Sequence, residues 1–402
     1  MNVSPFARLA WSNLAAQSAE QIGVAAAPLV AVLMLGAGVG ATGLLHTAQT
    51  LPFVLFAIPA GLLADRCSRR VVMVGAEALR VLSLLAILAC ASVGWLSLSL
   101  LAALGFVGAC GTVAYSVAAP ALVPSLVPGR LLAAANGRIE LARTLAFTGG
   151  PALAGALVAW AGGPPAFAAA AALSVCAVVL LAGLREPPAM TRVRRDALQE
   201  VREGAAFVFR HRLLRPIFVT QVVFNAAFFT LQATYVPYAV ARLGLSASAV
   251  GTTLAAYGVG MIVGALASTR IIRSLPFGHV IALGPISGLA GALVMMLTLW
   301  VPSAPVAALS FFLIGAGPIV WVISTATLRQ IVTPRELLGR VSAINITAYG
   351  ARPAGAALGG IVGALYGAET CLAVAAVGFV VQALVIVASP VVRLARQPEM
   401  AA

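Results

Sequence analysis

Six ionisable side chains stand inside stretches that are otherwise almost free of charge: Glu20, Glu77, Arg80, Glu140, Arg143 and Arg352. Holding each in hydrocarbon costs on the order of 3 kcal/mol, so residues of this kind are kept for work such as proton binding, charge pairing or contact with a polar solute. Glu20 has no cation beside it in the sequence and is a candidate proton carrier. An acid that is loaded with a proton on one side of a barrier and unloaded by a solute on the other is the minimal machinery of exchange. Glu140 and Arg143, one turn apart, are either a second proton-coupling pair or an ion pair that keeps their helix in register. Glu77 and Arg80 share the same spacing and read as a gating pair.

The elements that must position these groups are membrane helices. With 61% hydrophobic and 9% charged residues over 402 positions, the chain is written for a lipid solvent. Stretches long and apolar enough to cross a bilayer fall at 9–35, 43–63, 71–92, 97–122, 131–160, 164–184, 214–241, 247–271, 277–300, 305–328, 338–366 and 369–390. Twelve helices result. The first is too long for the apolar core of a signal peptide and carries Asn13, Gln17 and Glu20, so it is expected to stay in the protein.

A net charge of +14 raises the question of nucleic acid, and the placement of the charge answers it. There is no Lys; all but four of the 25 arginines fall at one side of the spans, Arg242 falls at the other, and Arg80, Arg143 and Arg352 lie within spans. Lys and Arg stay on the cytoplasmic side during insertion, which predicts cytoplasmic termini. Trp95, Trp160 and Trp300 fall at the expected outer interface and Trp11 near the inner one. The absence of Lys also excludes a phosphate-binding Gly-x-x-x-x-Gly-Lys loop and a Schiff-base lysine, so neither ATP nor covalent amine chemistry is expected. His46, His211 and His279 are far apart, and the five cysteines show neither metal nor disulfide spacing. No pairing of nucleophile and base falls at membrane depth, which argues against an enzyme.

Polar side chains recur at helical spacing on four spans. Asn13, Gln17, Glu20 and Gln21 mark the first; Asn136, Glu140, Arg143 and Phe147 the fifth; Gln221, Asn225, Phe228, Gln232 and Tyr235 the seventh; Asn345, Tyr349 and Arg352 the eleventh. Four such stripes predict one shared cavity, and amides, aromatics and few charges suit an amphipathic organic molecule.

The chain repeats. Pro128-Gly129-Arg130-Leu131-Leu132 before the fifth span returns as Pro334-Arg335-Glu336-Leu337-Leu338 before the eleventh. Two six-helix halves are expected, 1–184 and 214–402, related by an axis along the membrane normal. Between them, 185–213 is polar, and Ala197, Val201, Ala205 and Val208 oppose Glu200, Arg202 and Glu203, the pattern of a short amphipathic surface helix.

Gly61-Leu62-Leu63-Ala64-Asp65-Arg66-Cys67-Ser68-Arg69-Arg70 packs four charges into the turn between the second and third spans. This Gly-x-x-x-Asp-Arg-x-x-Arg-Arg run resembles the signature loop of the major facilitator superfamily. The resemblance implies an all-α, twelve-helix transporter in which Asp65 latches the cytoplasmic gate against a helix N-terminus, with Gly61 allowing close approach and Arg66, Arg69 and Arg70 beside it. Glu203-Gly204-x-x-Phe207-Val208-x-Arg210-x-x-Leu213-Leu214-Arg215 and Pro120-Ala121-Leu122-Val123-Pro124 are similar to the branch of siderophore exporters and macrolide-efflux proteins. Gly149-Gly150-Pro151-Ala152-Leu153-Ala154-Gly155 resembles the exporter motif Gly-Pro-x-x-Gly-Gly, with Ala154 departing from it, and puts Gly150, Pro151 and Gly155 at a hinge. That likeness implies efflux of a small organic molecule across the cytoplasmic membrane of a bacterium in exchange for protons. A second departure bears on the coupling: the fourth span lacks the membrane-embedded Arg of many proton-coupled relatives. An importer or facilitator of the same fold is the alternative.

Overall fold

The computed structural model describes residues 5–57, 59–60, 63, 67–128, 131–184, 197–334 and 337–396. Gly61, Asp65 and Arg66, and with them the expected latch, lie outside these residues, as does 185–196 at the start of the joint. Among the described residues every regular element is a helix. The first half contains α1 (Pro5–Leu33), α2 (Val39–Thr50) continued by the single turn α3 (Pro52–Leu55), α4 (Arg69–Ser92), α5 (Leu98–Leu126), α6 (Leu132–Ala161) and α7 (Gly163–Ala182). After α8 (Ala197–Arg210) come α9 (Leu214–Ala241), α10 (Ala247–Ser274), α11 (Phe277–Leu297), α12 (Ala304–Val332), α13 (Leu338–Thr347) and α14 (Ala351–Val387).

Ten segments of the described chain are long and apolar enough to span a membrane. The last of them covers 50 residues, Leu338–Val387, too long for one crossing at ~1.5 Å per residue. Gly367, at φ +85°, breaks it, a conformation that costs glycine nothing. The Cys371 thiol then donates to the carbonyl of Gly359 at 3.0 Å, although twelve residues of straight helix would separate them by ~18 Å. The chain therefore reverses at Gly367 and crosses twice. With α2 and α3 supplying the second crossing, twelve spans stand as the sequence predicts. An even number of crossings places the start of α1 and the end of α14 at the same end of the bundle, here called the near end.

Serines begin several helices as the sequence requires. Ser97 accepts from the amide of Leu100, and Ser246 from that of Ala249, satisfying groups the helix leaves open. At the near end the Arg8 and Arg70 guanidinium groups donate to the last carbonyls of α7, those of Gly183 and Ala182, where the helix dipole favours cations. Trp95, Trp160 and Trp300 are all largely exposed at the far end, and Trp11 is exposed towards the near end.

The halves meet through small residues. Gly43 of α2 lies against the backbone of Gly360 of α14, and a Cβ added at Gly155 of α6 would come within 2.8 Å of the Gly251 Cα of α10. Thr42 in α2 donates to the carbonyl of Ala233 in α9 at 2.8 Å. These contacts cluster in the far half of the bundle.

The amphipathic helix is α8, and a partner covers its apolar face. Val201, Ala205 and Val208 pack with Val341 and Ile344 of α13, Glu203 pairs with Arg340, and Gly204 closes on the Arg340 backbone. His211 joins α8 to α9: its Nδ1 accepts from the amides of Leu213 and Leu214 at 3.2 and 3.3 Å, and its ring packs on Phe207. Burial holds the imidazole below the usual histidine range, because the charged form loses water. Protonation would remove that acceptor. Its stabilisation is therefore complete above the ordinary histidine value of ~6.5 and is lost as pH falls through the lowered native value. The thermal midpoint in detergent should fall more between pH 7 and pH 5 in wild type than in His211→Ala; equal falls would rule the cap out.

Candidate functional site

Both halves contribute to a cavity of about 290 Å³ in the middle of the bundle. One wall is acidic and basic together. Glu20 and Gln21 of α1, Arg80 and Ser83 of α4, and Thr112 of α5 line it. Arg80 is the hub of that wall. Its Nη1 donates to Glu77 Oε1 at 2.6 Å and to the carbonyl of Ala16 at 3.1 Å, while Nη2 donates to Thr112 Oγ1 at 2.8 Å. The same Nη2 stands 3.6 Å from Glu20 Oε2. Glu77 is fully covered, whereas Glu20 keeps 21% of its side chain exposed into the cavity. The spacing of Glu77 and Arg80 foretold their pairing; the partner of Glu20, sixty residues away, was not visible in sequence.

Glu140 and Arg143 pair as their spacing predicts, at 2.5 Å and with further contacts from Nε at 3.0 and 3.1 Å. The pair is half-exposed, and Arg143 lies over the Phe147 ring at 5.3 Å while lining the cavity.

Across the cavity, Arg352 opens α14. The helical path breaks just before it into a 3₁₀ turn, Ala348–Gly350, since Pro353 has no N–H to return to the Tyr349 carbonyl. The guanidinium sits in a box of rings, 4.1 Å from the centre of Tyr349 and 5.3 Å from those of Phe53 and Phe229, and its Nε donates to Asn225 Oδ1 at 3.0 Å. Cation–π contacts of this kind steady a charge that has lost water. The aromatic wall continues through Phe224, stacked on Phe228 at 5.7 Å, and Phe228, stacked on Tyr257 at 5.4 Å.

Of the residues the four stripes mark, the cavity gathers Glu20, Gln21, Arg143, Phe147, Asn225, Phe228, Gln232 and Arg352, with Tyr349 behind Arg352. Others face neighbouring helices. Asn13 is buried and reaches the Ile139 carbonyl at 3.4 Å, and Tyr235 is buried with its hydroxyl 2.5 Å from Thr253 Oγ1. Gln221 gives its carbonyl to Asn225, Gln17 is half-buried away from the lining, and Asn345 faces a small cleft beside α8 and α9. Pro151 lines the cavity, and its neighbours set helix spacing: Gly150 admits Gln21 of α1, where a Cβ would meet Gln21 Cβ at 2.5 Å, and Gly155 admits α10. The sequence reading missed His46, Gln49 and Thr50 of α2, which also line the cavity. Their i, i+3, i+4 spacing was the available signal. His46 Nε2 and Gln49 Oε1 are buried with no hydrogen-bond partner among the described residues.

The sequence matches the model of a family described as transmembrane secretion effector over residues 5–401. It is 30% identical over 255 residues to the uncharacterized MFS-type transporter y4rN of Sinorhizobium fredii, a match covering 60% of each chain. The chain thus spans about 60% of the length of that curated relative. Among solved structures, it is similar to a bacterial homologue of the iron transporter ferroportin in an inward-facing state, at 15% identity, TM-score 0.74, and 96% and 98% of the two chains. It is also similar to a bacterial homologue of the human lysosomal transporter Spinster, inward-facing and unoccupied, at 16% identity and TM-score 0.72 over 98% of each chain. These identities speak for the fold alone. The relatives are transporters rather than enzymes. Twelve spans around a central polar cavity and a family match along nearly the whole chain lead to one assignment: this protein belongs to the transmembrane secretion effector family of the major facilitator superfamily.

Proposed function

We propose that this protein is a secondary transporter that exports a small amphipathic organic molecule across the cytoplasmic membrane of a bacterium in exchange for protons. The observation that carries the reading is the position of Glu20, the member of the Glu20–Arg80–Glu77 network that remains open to the cavity. A proton or a solute can reach it, and neither is held there by a short ion pair. Loaded with a proton, Glu20 releases its weak hold on Arg80; a solute that donates to the carboxylate displaces the proton. Mutual exclusion at one carboxylate gives exchange.

Alternating access needs two gates. The glycine contacts of α2 with α14 and of α6 with α10 support a far side that is closed here, and they are the surfaces that must part for release. The loop of Gly61, Asp65, Arg66, Arg69 and Arg70 serves as the latch of the near, cytoplasmic side. Residues 1–184 and 214–402 move as the two rocking bodies, tethered through 185–213.

Binding in weakly buffered detergent solution tests the coupling. Siderophores, macrolides and lipophilic cations are added to purified wild type and to Glu20→Gln while pH is recorded. A compound that binds both proteins but releases protons from wild type alone is the expected result. Binding without proton release from wild type would remove the exchange mechanism and leave a facilitator.

A further inference from the structure

Ionised, the six charged groups of the cavity region do not cancel where they stand. Glu140 and Arg143 cancel locally, at 2.5 Å. Arg80 is shared between Glu77 at 2.6 Å and Glu20 at 3.6 Å, so the wall built from α1 and α4 holds two carboxylates against one guanidinium. The excess negative charge resides on Glu20, because Glu77 takes the short contact. On the opposite wall Arg352 has rings and an amide around it, but no carboxylate pairs with it among the described residues. Arg352 and Glu20 both line the cavity, and no ion pair joins them. Two opposite charges, neither closed off by a short ion pair, thus face one cavity from the two halves. Removing a charge from water without a counter-charge is costly, and the cost is recovered when a ligand supplies it.

We infer that the cavity is a two-pole site for a zwitterionic aromatic molecule: an acidic group of the solute pairs with Arg352, a basic group pairs with Glu20, and the ring system lies on the Phe224–Phe228–Tyr257 wall. The proposal rests on the transporter reading and narrows it to a substrate class. It also fits exchange, since the basic group is the part that competes with the proton. A purely anionic solute would bind better when Glu20 is protonated, and would not exchange with the proton. Asn225 holds the Arg352 fork in place, which makes the acid pole directional.

Three fluorescent probes on one skeleton test this. Nε-dansyl-lysine carries both charges; dansylcadaverine is the same molecule without the carboxylate, and dansylaminohexanoate the same without the amine. Binding to purified protein is read from dansyl fluorescence. The doubly charged probe is expected to bind at least tenfold more tightly than either relative. Arg352→Gln should bring Nε-dansyl-lysine down to the affinity of dansylcadaverine and leave dansylcadaverine unchanged. Glu20→Gln should do the reverse, bringing it down to dansylaminohexanoate. Arg352→Lys, which keeps the charge, should retain part of the carboxylate preference and shows that the Gln variant failed through charge. Equal binding of the three probes, no binding by any of them, or an equal loss for all three in Arg352→Gln would overturn the two-pole site. Transport into proteoliposomes separates the two claims. Probe selectivity without movement across the membrane would sink the transporter reading and leave the site standing; movement indifferent to both charges would do the opposite.

Discussion

Replacing Arg80 by Met is expected to cost the protein about 3–5 kcal/mol, the penalty for leaving one member of a buried ion pair alone. Glu77 is fully covered, and among the described residues Arg80 is the cation that pairs with it, its Oε2 having no hydrogen-bond partner there. The same substitution releases Thr112 and the Ala16 carbonyl, and therefore loosens α4 from α5 and α1 together. The thermal midpoint in detergent should drop on the order of 10 °C. The double variant Glu77→Gln/Arg80→Met should recover most of it, because the stranded charge is gone. If the double variant is no more stable than the single one, the loss comes from packing and the network is not electrostatic in origin.

Gly43→Val tests the seam proposed as the far gate. Gly43 lies so near Gly360 that any side chain would overlap the α14 backbone, and rigid backbone on both sides offers no way to yield. The α2–α14 contact must then open. Cys371 reports on it, being buried beside Gly363 and Val39 on the same seam. In a protein whose other four cysteines are replaced by Ser, a membrane-impermeant maleimide added from the far side should modify Cys371 at least tenfold faster in Gly43→Val, with transport lost. Unchanged labelling would mean that this seam is not a gate.

The elements were legible because their signals are local. Apolar runs and their ends locate the twelve spans, and an i, i+3 spacing on one helix is enough to pair Glu77 with Arg80 and Glu140 with Arg143. The site was legible only in part, since it is made by contacts between segments remote in sequence. Glu20 meets a guanidinium on α4, and the rings around Arg352 come from α3, α9 and the turn before α14. A polar stripe says that a helix face avoids lipid. It does not say whether that face meets a cavity or another helix: Phe228 and Gln232 line the cavity, while Tyr235 on the same helix bonds Thr253 of α10. Asn345 marks a face that packs near α8, an element whose docking position no periodicity encodes. The triplet of His46, Gln49 and Thr50 shows the opposite failure, a readable pattern hidden by its short and irregular helix.

Proton-driven movement through Glu20 is the central claim, and a gradient imposed on sealed vesicles tests it most directly. Proteoliposomes holding wild type or Glu20→Gln are given an acidic interior, and accumulation of Nε-dansyl-lysine is followed by fluorescence. Wild type should concentrate the probe inside as protons leave, and collapse of the gradient by a protonophore should release it. Glu20→Gln should equilibrate the probe without concentrating it. Accumulation by Glu20→Gln equal to wild type, or accumulation by wild type that ignores the gradient, would contradict the account.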